Sequence, residues 1–122
     1  MDGPPGTPRL LLFSADVELT RALAVEARLA GLGFEAVSDA APCAARLDRP
    51  PAPAWLIVDF AAAPAAAEAL AGRAAQVLPV WLWAPALDPV DAASLRLRGL
   101  TLVGTRRALA ALCRRWGARS AA

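Results

Sequence analysis

The stretch Trp55-Leu56-Ile57-Val58-Asp59-Phe60 is a short apolar run with one carboxylate near its end. A strand that is hydrophobic on both faces is typical of the centre of a parallel sheet covered by helices. Ligands of such sheets bind outside the carboxyl ends of the strands. The run therefore predicts a central strand, and we expect Asp59 at the edge of the sheet where a ligand would bind.

Strand and helix patterns alternate on both sides of this run. The short, regular spacing predicts an α/β fold with a single five-stranded parallel sheet and helices on both of its faces. Glycines are predicted to end the first, fourth and last helices, at Gly31, Gly99 and Gly117. The other strands are predicted at 9–13, 34–37, 77–83 and 100–103. The helices are predicted at 17–30, 65–75, 89–98 and 106–116, with a second helix that ends at 47. Their predicted caps are Asp16 for the first helix, Ser38 or Asp39 for the second, Asp88 for the fourth and Thr105 for the last.

The 122 residues are enough for one domain with a single core. We expect a flexible lead at 1–8, the folded body at 9–116 and a loose tail at 117–122. No apolar run approaches the roughly 20 residues that a membrane span needs. The lead has no basic cluster followed by an apolar segment, so it does not predict a secretory signal. A cytoplasmic protein without a membrane partner is expected.

All thirteen basic residues are arginines, and the net charge is only +2. The arginines near the C-terminus predict a solvated helix face whose charges suit a helix C-terminus. A weak patch for nucleic acid or for an acidic partner is the alternative, and the favoured interpretation predicts no nucleic-acid partner. These arginines are Arg106, Arg107, Arg114, Arg115 and Arg119.

The chain has no histidine, which excludes histidine general bases, phosphohistidine sites and histidine metal ligands. Neither GxGxxG nor GxxxxGK[ST], the glycine-rich phosphate-binding motifs, occurs. Cys43 and Cys113 lack a metal or redox spacing and are predicted as small core residues, with a disulfide or a contact between chains as the alternative. We therefore predict that the chain is not an enzyme and holds no cofactor.

The chain resembles the receiver domain of bacterial response regulators over about 9–116. The resemblance is carried by the run Leu-Leu-Leu-Phe before a loop and Glu18-Leu19, by Leu56-Ile57-Val58-Asp59, by the fourth strand at 78–83 and by Gly99 before the last strand. It implies a flavodoxin-like (CheY-like) fold with strand order 2-1-3-4-5. It also implies two-component signal transduction, with Asp59 at the position of the phosphoacceptor.

Several positions depart from the family's pattern. The acidic pair that holds Mg²⁺ in receiver domains falls at Ser14 and Ala15, which leaves Asp16 as the nearby acid. Mg²⁺ prefers carboxylate oxygens in octahedral geometry. Asp16 and Asp59 are therefore only weak candidates for a metal site, and Mg²⁺ is expected only if Asp59 is phosphorylated.

The remaining phosphate-binding positions are also changed. The serine or threonine that binds the phosphoryl oxygen falls at Ala84, and the family's lysine falls at Thr105 or Arg106. Phosphoryl transfer depends on positioned cations and hydrogen-bond donors. A lone Asp59 is therefore expected to lack the groups that would stabilise the reaction.

Two functions follow from these departures. The leading prediction is a pseudo-receiver, a phosphorylation-independent signalling module that acts by protein–protein interaction, as a homodimer or docked on a larger regulator. The alternative is an atypical single-domain response regulator that is phosphorylated at Asp59, with Arg106 in place of the lysine. The predicted contact surface is formed by the fourth helix, fifth strand and fifth helix, with Ser94, Arg96, Arg98, Arg106, Arg107 and Trp116 as candidates.

Tryptophans alternate along the fourth strand. Trp81 and Trp83 are expected on the same face of the sheet. An aromatic core is the favoured interpretation, and the alternative is that Trp83 fills space beside the changed phosphate site.

Overall fold

Five strands alternate with five helices in the computed structural model, which describes residues 7–121 and the side chains of residues 7–119. The strands are β1 (Arg9–Phe13), β2 (Gly33–Val37), β3 (Trp55–Asp59), β4 (Val80–Trp83) and β5 (Thr101–Val103). The helices are α1 (Val17–Leu29), α2 (Ala40–Leu47), α3 (Pro64–Ala74), α4 (Pro89–Leu97) and α5 (Arg106–Ala121).

The strands form one parallel sheet in the order β2-β1-β3-β4-β5. This is the flavodoxin-like, CheY-type order that the resemblance to receiver domains implies. The apolar run at β3 lies in the middle of the sheet, and its residues Leu56–Asp59 are buried. The register places Phe13 of β1 opposite Val58, and Asp59 opposite Trp83 of β4. The residues that follow β1, β3 and β4 therefore meet at one edge.

Two apolar layers hold the helices on the sheet. Alternate residues of β1 point to opposite faces of the sheet. Leu10 and Leu12 pack in the first layer, which lies beneath α1 and α5. Leu11 and Phe13 pack in the second layer, which lies beneath α2, α3 and α4. The short side chains of α3, chiefly alanine, let this helix lie close to the face of the sheet that carries the second layer. Trp81 and Trp83 both join the first layer, as expected for an aromatic core.

Side-chain caps begin three of the helices where the sequence predicts them. The carboxylate of Asp16 accepts hydrogen bonds from the amides of Glu18 and Leu19, at 2.9 and 3.2 Å. Asp88 caps α4 in the same way, and Thr105 caps α5 by accepting from the amide of Ala108 at 3.1 Å. These caps satisfy amides that have no partner inside the helix.

The same five-residue pattern, Arg-Leu-x-Gly-Leu, ends both α1 and α4. Gly31 and Gly99 adopt φ angles of 75° and 82°, in the left-handed region that favours glycine. The leucine after each glycine donates its amide back into the helix, from Leu32 to the Ala27 carbonyl and from Leu100 to the Leu95 carbonyl. This is the Schellman arrangement, so the predicted ends of these two helices are confirmed.

The predicted end of the last helix at Gly117 is wrong, because α5 continues to Ala121. Gly117 lies against Ala30, the residue that follows α1. A Cβ atom built on Gly117 would be 3.0 Å from the Cβ of Ala30 and 3.2 Å from its carbonyl carbon. The glycine therefore permits a close crossing of two backbones rather than ending the helix. The predicted lead lies mostly outside the described residues.

Tryptophans from β3, β4 and α5 form one cluster in the first layer. Trp116 stacks on Trp55 with ring centroids 4.8 Å apart and meets Trp81 edge-on at 5.0 Å. Such pairs add to the stability that burial alone provides. Trp116 is only 1% exposed, so this cluster attaches α5 to the sheet.

Neither cysteine is in a disulfide, and both are buried in the core. Burial raises the pKa of the Cys43 and Cys113 thiols to about 11. Both thiols therefore stay protonated at neutral pH. Within residues 7–121, no helix combines the length and apolar character needed to cross a bilayer.

Candidate functional site at the carboxyl edge of the sheet

Asp59 ends the central strand, as predicted, and its side chain is 3% exposed. One carboxylate oxygen, Oδ2, accepts a hydrogen bond from the Ser14 hydroxyl at 2.7 Å. The other, Oδ1, accepts from the amide of Ala62 at 3.2 Å. Among the described residues, no arginine forms an ion pair with this carboxylate. A buried acid is thus held by two neutral donors.

Ser14 connects the end of β1 to the end of β3. It is 6% exposed, and its amide donates to the Val37 carbonyl at 3.1 Å. Its hydroxyl accepts from the amide of Asp16 at 3.0 Å while donating its proton to Asp59. A hydroxyl has one proton to donate, so the donor capacity of Ser14 is fully committed to Asp59.

The residues near Asp59 do not fit a magnesium ion. Ala15 is exposed and offers no ligand atom, and Asp16 uses its Oδ1 oxygen to cap α1. Among the described residues, no group of three or more histidine, cysteine, aspartate or glutamate side chains could hold a metal. Mg²⁺ binding in proteins relies on carboxylates in near-octahedral geometry, and the groups bonded to Asp59 here are a hydroxyl and a backbone amide.

The residues at the positions that bind a phosphoryl group in receiver domains also differ in chemistry from those of that family. Ala84 follows β4 and donates its amide to the Val103 carbonyl at 3.0 Å, but it has no hydroxyl. The first residue after β5 is Gly104, which lies beside the Ala84 carbonyl. Thr105 is occupied as the cap of α5. Arg106 lies 3.7 Å from Glu18 of α1, so its nearest acid is on that helix.

A depression of about 290 Å³ lies beside the ends of β3 and β4. Its walls carry only apolar side chains, so a phosphoryl group here would meet no side-chain donor. The lining residues are Phe60, Ala61, Pro64, Ala84, Ala86 and Leu87.

The predicted contact residues fall into three groups. Ser94, Arg96 and Arg107 are exposed. Arg98 pairs with Glu68 of α3, and Arg106 with Glu18, so both of these arginines reach towards neighbouring helices. Trp116 is predicted as a core residue or a contact residue; the structure places it in the core and not on the surface, because its ring is buried in the tryptophan cluster.

Exposed apolar residues of α4 were not predicted as part of the contact surface. Val90 and Leu97 are 76% and 90% exposed, respectively. They lie seven residues apart, which places them on the same side of a helix. The sequence could have indicated this surface, because Val90 and Leu97 are large apolar residues that lie outside the buried stripe formed by Ala92 and Leu95.

Two buried polar contacts were also not predicted from the sequence. The Ser14–Asp59 bond joins residues 45 positions apart. It could have been inferred because both residues end adjacent parallel strands. The second contact is made by Arg46, which is buried and donates from Nε to Glu35 at 2.8 Å. The spacing of Cys43, Arg46 and Leu47 places Arg46 on the inner face of α2.

Comparisons with known proteins support the fold of the chain. No protein-family model matches the chain, and no curated protein sequence matches it. Among similar solved structures is a chain assigned to pilus assembly, CpaE, from Burkholderia thailandensis, with a TM-score of 0.69. The alignment covers 93% of this chain and 99% of that chain at 20% identity. The chain has a flavodoxin-like, CheY-type fold. At this identity the likeness concerns the fold alone, and the function must be argued from the site.

Proposed function

We propose that the chain is a phosphorylation-independent, receiver-like signalling module that acts through protein–protein contacts. The observation that carries this proposal is the direct hydrogen bond from Ser14 to Asp59, at the place where a receiver domain holds its metal ion. Phosphoryl transfer requires cations and donors around the transferred group. The acid remains here, but the groups around it are a hydroxyl, a backbone amide and apolar side chains.

The surface proposed for these contacts is the docking face, defined as Val90, Ser94 and Leu97 of α4, Thr101 of β5 and Arg107 of α5. All five residues are exposed. The strand β5 is an edge of the sheet, so this face joins two helices across an unpaired strand edge. Exposed apolar side chains rimmed by polar ones are typical of protein interaction sites.

Charges on this side of the molecule favour pairing of two copies. Asp91 is exposed in the first turn of α4, whereas α5 carries five arginines and no acid. In a two-fold interface each surface meets its own copy. The acid of α4 in one copy could then face the arginines of α5 in the other, which is the complementarity that specifies interfaces.

The structural neighbour supports a role in a larger assembly. A domain with the same fold occurs in a protein described as acting in pilus assembly. By analogy, the docking face would hold this chain to a second copy or to a larger regulatory protein. This analogy rests on fold and adds no residue-level evidence.

Self-association is the form of the proposal to test first. Sedimentation velocity over a range of protein concentrations should show a dimer, and Leu97→Glu should shift the equilibrium towards monomer. A wild-type protein that stays monomeric throughout would contradict self-pairing. A photo-crosslinking residue at position 97 would then be used to find a heterologous partner, with position 29 as the matched control.

A further inference from the structure

We propose that Ser14 is the residue that makes the carboxyl edge independent of divalent cations, because its hydroxyl supplies the stabilisation of Asp59 that a metal ion would otherwise supply. The inference rests on the proposed function and deepens it. It names the residue that determines why Asp59 is not a metal-dependent phosphoacceptor.

Asp59 is buried at the end of β3. A buried carboxylate is costly unless it is paired with a charge or hydrogen-bonded. Here the donors are the Ser14 hydroxyl at 2.7 Å and the Ala62 amide at 3.2 Å, and no buried side-chain oxygen or nitrogen in the described residues lacks a partner. The carboxylate is therefore satisfied without a cation.

The orientation of the Ser14 hydroxyl opposes metal binding. Its proton points to Asp59, and its oxygen already accepts from the amide of Asp16 at 3.0 Å. A cation on Oδ2 of Asp59 would require this proton to turn away, which breaks the bond to Asp59. The cation would gain only a neutral oxygen in return, and Mg²⁺ leaves its hydration shell reluctantly.

A carboxylate at position 14 should reverse this preference. In Ser14→Asp, two acids would face one another at the end of adjacent strands, near the exposed Asp16. Like charges at this distance disfavour ionisation of both groups. A divalent cation would relieve the repulsion, so the variant should become dependent on the cation that the wild-type protein does not need.

The test compares thermal unfolding midpoints in EDTA and in MgCl₂. For the wild-type protein we expect the same midpoint in both. For Ser14→Asp we expect a lower midpoint than wild type in EDTA and a rise on adding Mg²⁺, and this rise should disappear in Ser14→Asp/Asp59→Asn. The inference is overturned by a Mg²⁺-dependent rise in the wild type that Asp59→Asn abolishes, or by a folded Ser14→Asp that ignores Mg²⁺.

A second pair of variants keeps the test valid if Ser14→Asp does not fold. Ser14→Ala removes the donor and should lower the midpoint, whereas Ser14→Thr keeps a hydroxyl and should lose less. A Ser14→Ala protein as stable as wild type would show that the hydroxyl does not stabilise Asp59 and would overturn the inference.

Failure of the inference can be distinguished from failure of the proposed function. Measuring the intact mass of the wild-type protein after exposure to a phosphodonor tests directly whether the protein is phosphorylated, and so tests the proposed function. An unphosphorylated wild type together with a folded, Mg²⁺-indifferent Ser14→Asp would leave the function standing and refute only the role of Ser14.

Discussion

Gly117 lies where α5 crosses the end of α1, and the absence of a side chain brings the two backbones together. A Cβ atom there would be 3.0 Å from the Cβ of Ala30 and closer still to its carbonyl oxygen. Because the obstacle includes backbone, it cannot rotate away. We expect Gly117→Ala to lower the free energy of unfolding by about 1–3 kcal/mol, as overpacking does. Urea unfolding followed by circular dichroism would measure the loss.

Gly72 of α3 provides the matched control, since it also lies inside a helix. A Cβ at Gly72 would meet nothing within 4 Å. Alanine is the better helix former, so Gly72→Ala should raise the free energy of unfolding by about 0.5–1 kcal/mol. If both substitutions changed stability in the same direction, the close crossing at Gly117 would not be the cause.

Individual residues differ in how well the sequence predicts them. Asp59 could be placed because it ends a continuous apolar run that is typical of a central strand. Its bond to Ser14 depends on which strands are neighbours, and this requires the topology as well as the local pattern. Gly117 was interpreted as a helix end because glycine usually has that role, whereas the crossing with Ala30 depends on a contact distant in sequence.

Among the elements, α1 and α4 give a natural comparison because they end with the same pattern. Leu29 and Leu97 are each the last residue of their helix, 78% and 90% exposed, and each is followed two positions later by a left-handed glycine. Only Leu97 belongs to the docking face. We expect Leu97→Glu to weaken self-association and Leu29→Glu to leave it unchanged in sedimentation velocity.

Both leucine substitutions should preserve the fold. Surface changes away from caps and the core usually alter stability by less than about 0.5 kcal/mol. Unfolding midpoints close to wild type would show that any change in association comes from the surface. Equal loss of association in both variants would contradict a role specific to α4.

The elements themselves were largely predictable from local chemistry. Asp16, Asp88 and Thr105 fix the helix starts, because side-chain caps satisfy free amides. The start of β4 was placed too early, at Val77. In the structure the amides of Val77 and Leu78 both bond back to Ala74, so these residues form the turn after α3. An apolar pattern alone does not distinguish a strand from an apolar turn that leads into it.

For the whole molecule, the lack of histidine, lysine and tyrosine makes stability at alkaline pH depend on two thiols. Burial raises the pKa of Cys43 and Cys113 from 9.0 to about 11. Between these values the unfolded chain loses thiol protons that the folded chain keeps. The unfolded state therefore binds fewer protons, and the free energy of unfolding should fall as pH rises from 9 towards 11. Urea midpoints across this range would measure the fall.

The control for this prediction removes both thiols. Because it removes both thiols, Cys43→Ala/Cys113→Ala should show a much flatter profile over the same range. The comparison concerns the slope, because the two substitutions also change core packing. An unchanged slope in the double variant would assign the alkaline loss to another cause.

The whole fold was more predictable than the way the molecule is used. Alternating strands and helices with short connections allow few arrangements, and the order β2-β1-β3-β4-β5 confirms the one that the resemblance to receiver domains implies. The docking face follows from no such rule. Val90 and Leu97 stand out only once the buried side of α4 is known, and the sequence gives no position for a partner.

Intact mass spectrometry after incubation with acetyl phosphate and Mg²⁺ tests the central claim, that Asp59 is held by Ser14 and does not accept a phosphoryl group. The wild-type protein should show no added mass, with or without the metal, and should match Asp59→Asn. A metal-dependent gain of one phosphoryl group that Asp59→Asn abolishes would contradict the account. It would favour an atypical response regulator in which Arg106 replaces the family's lysine.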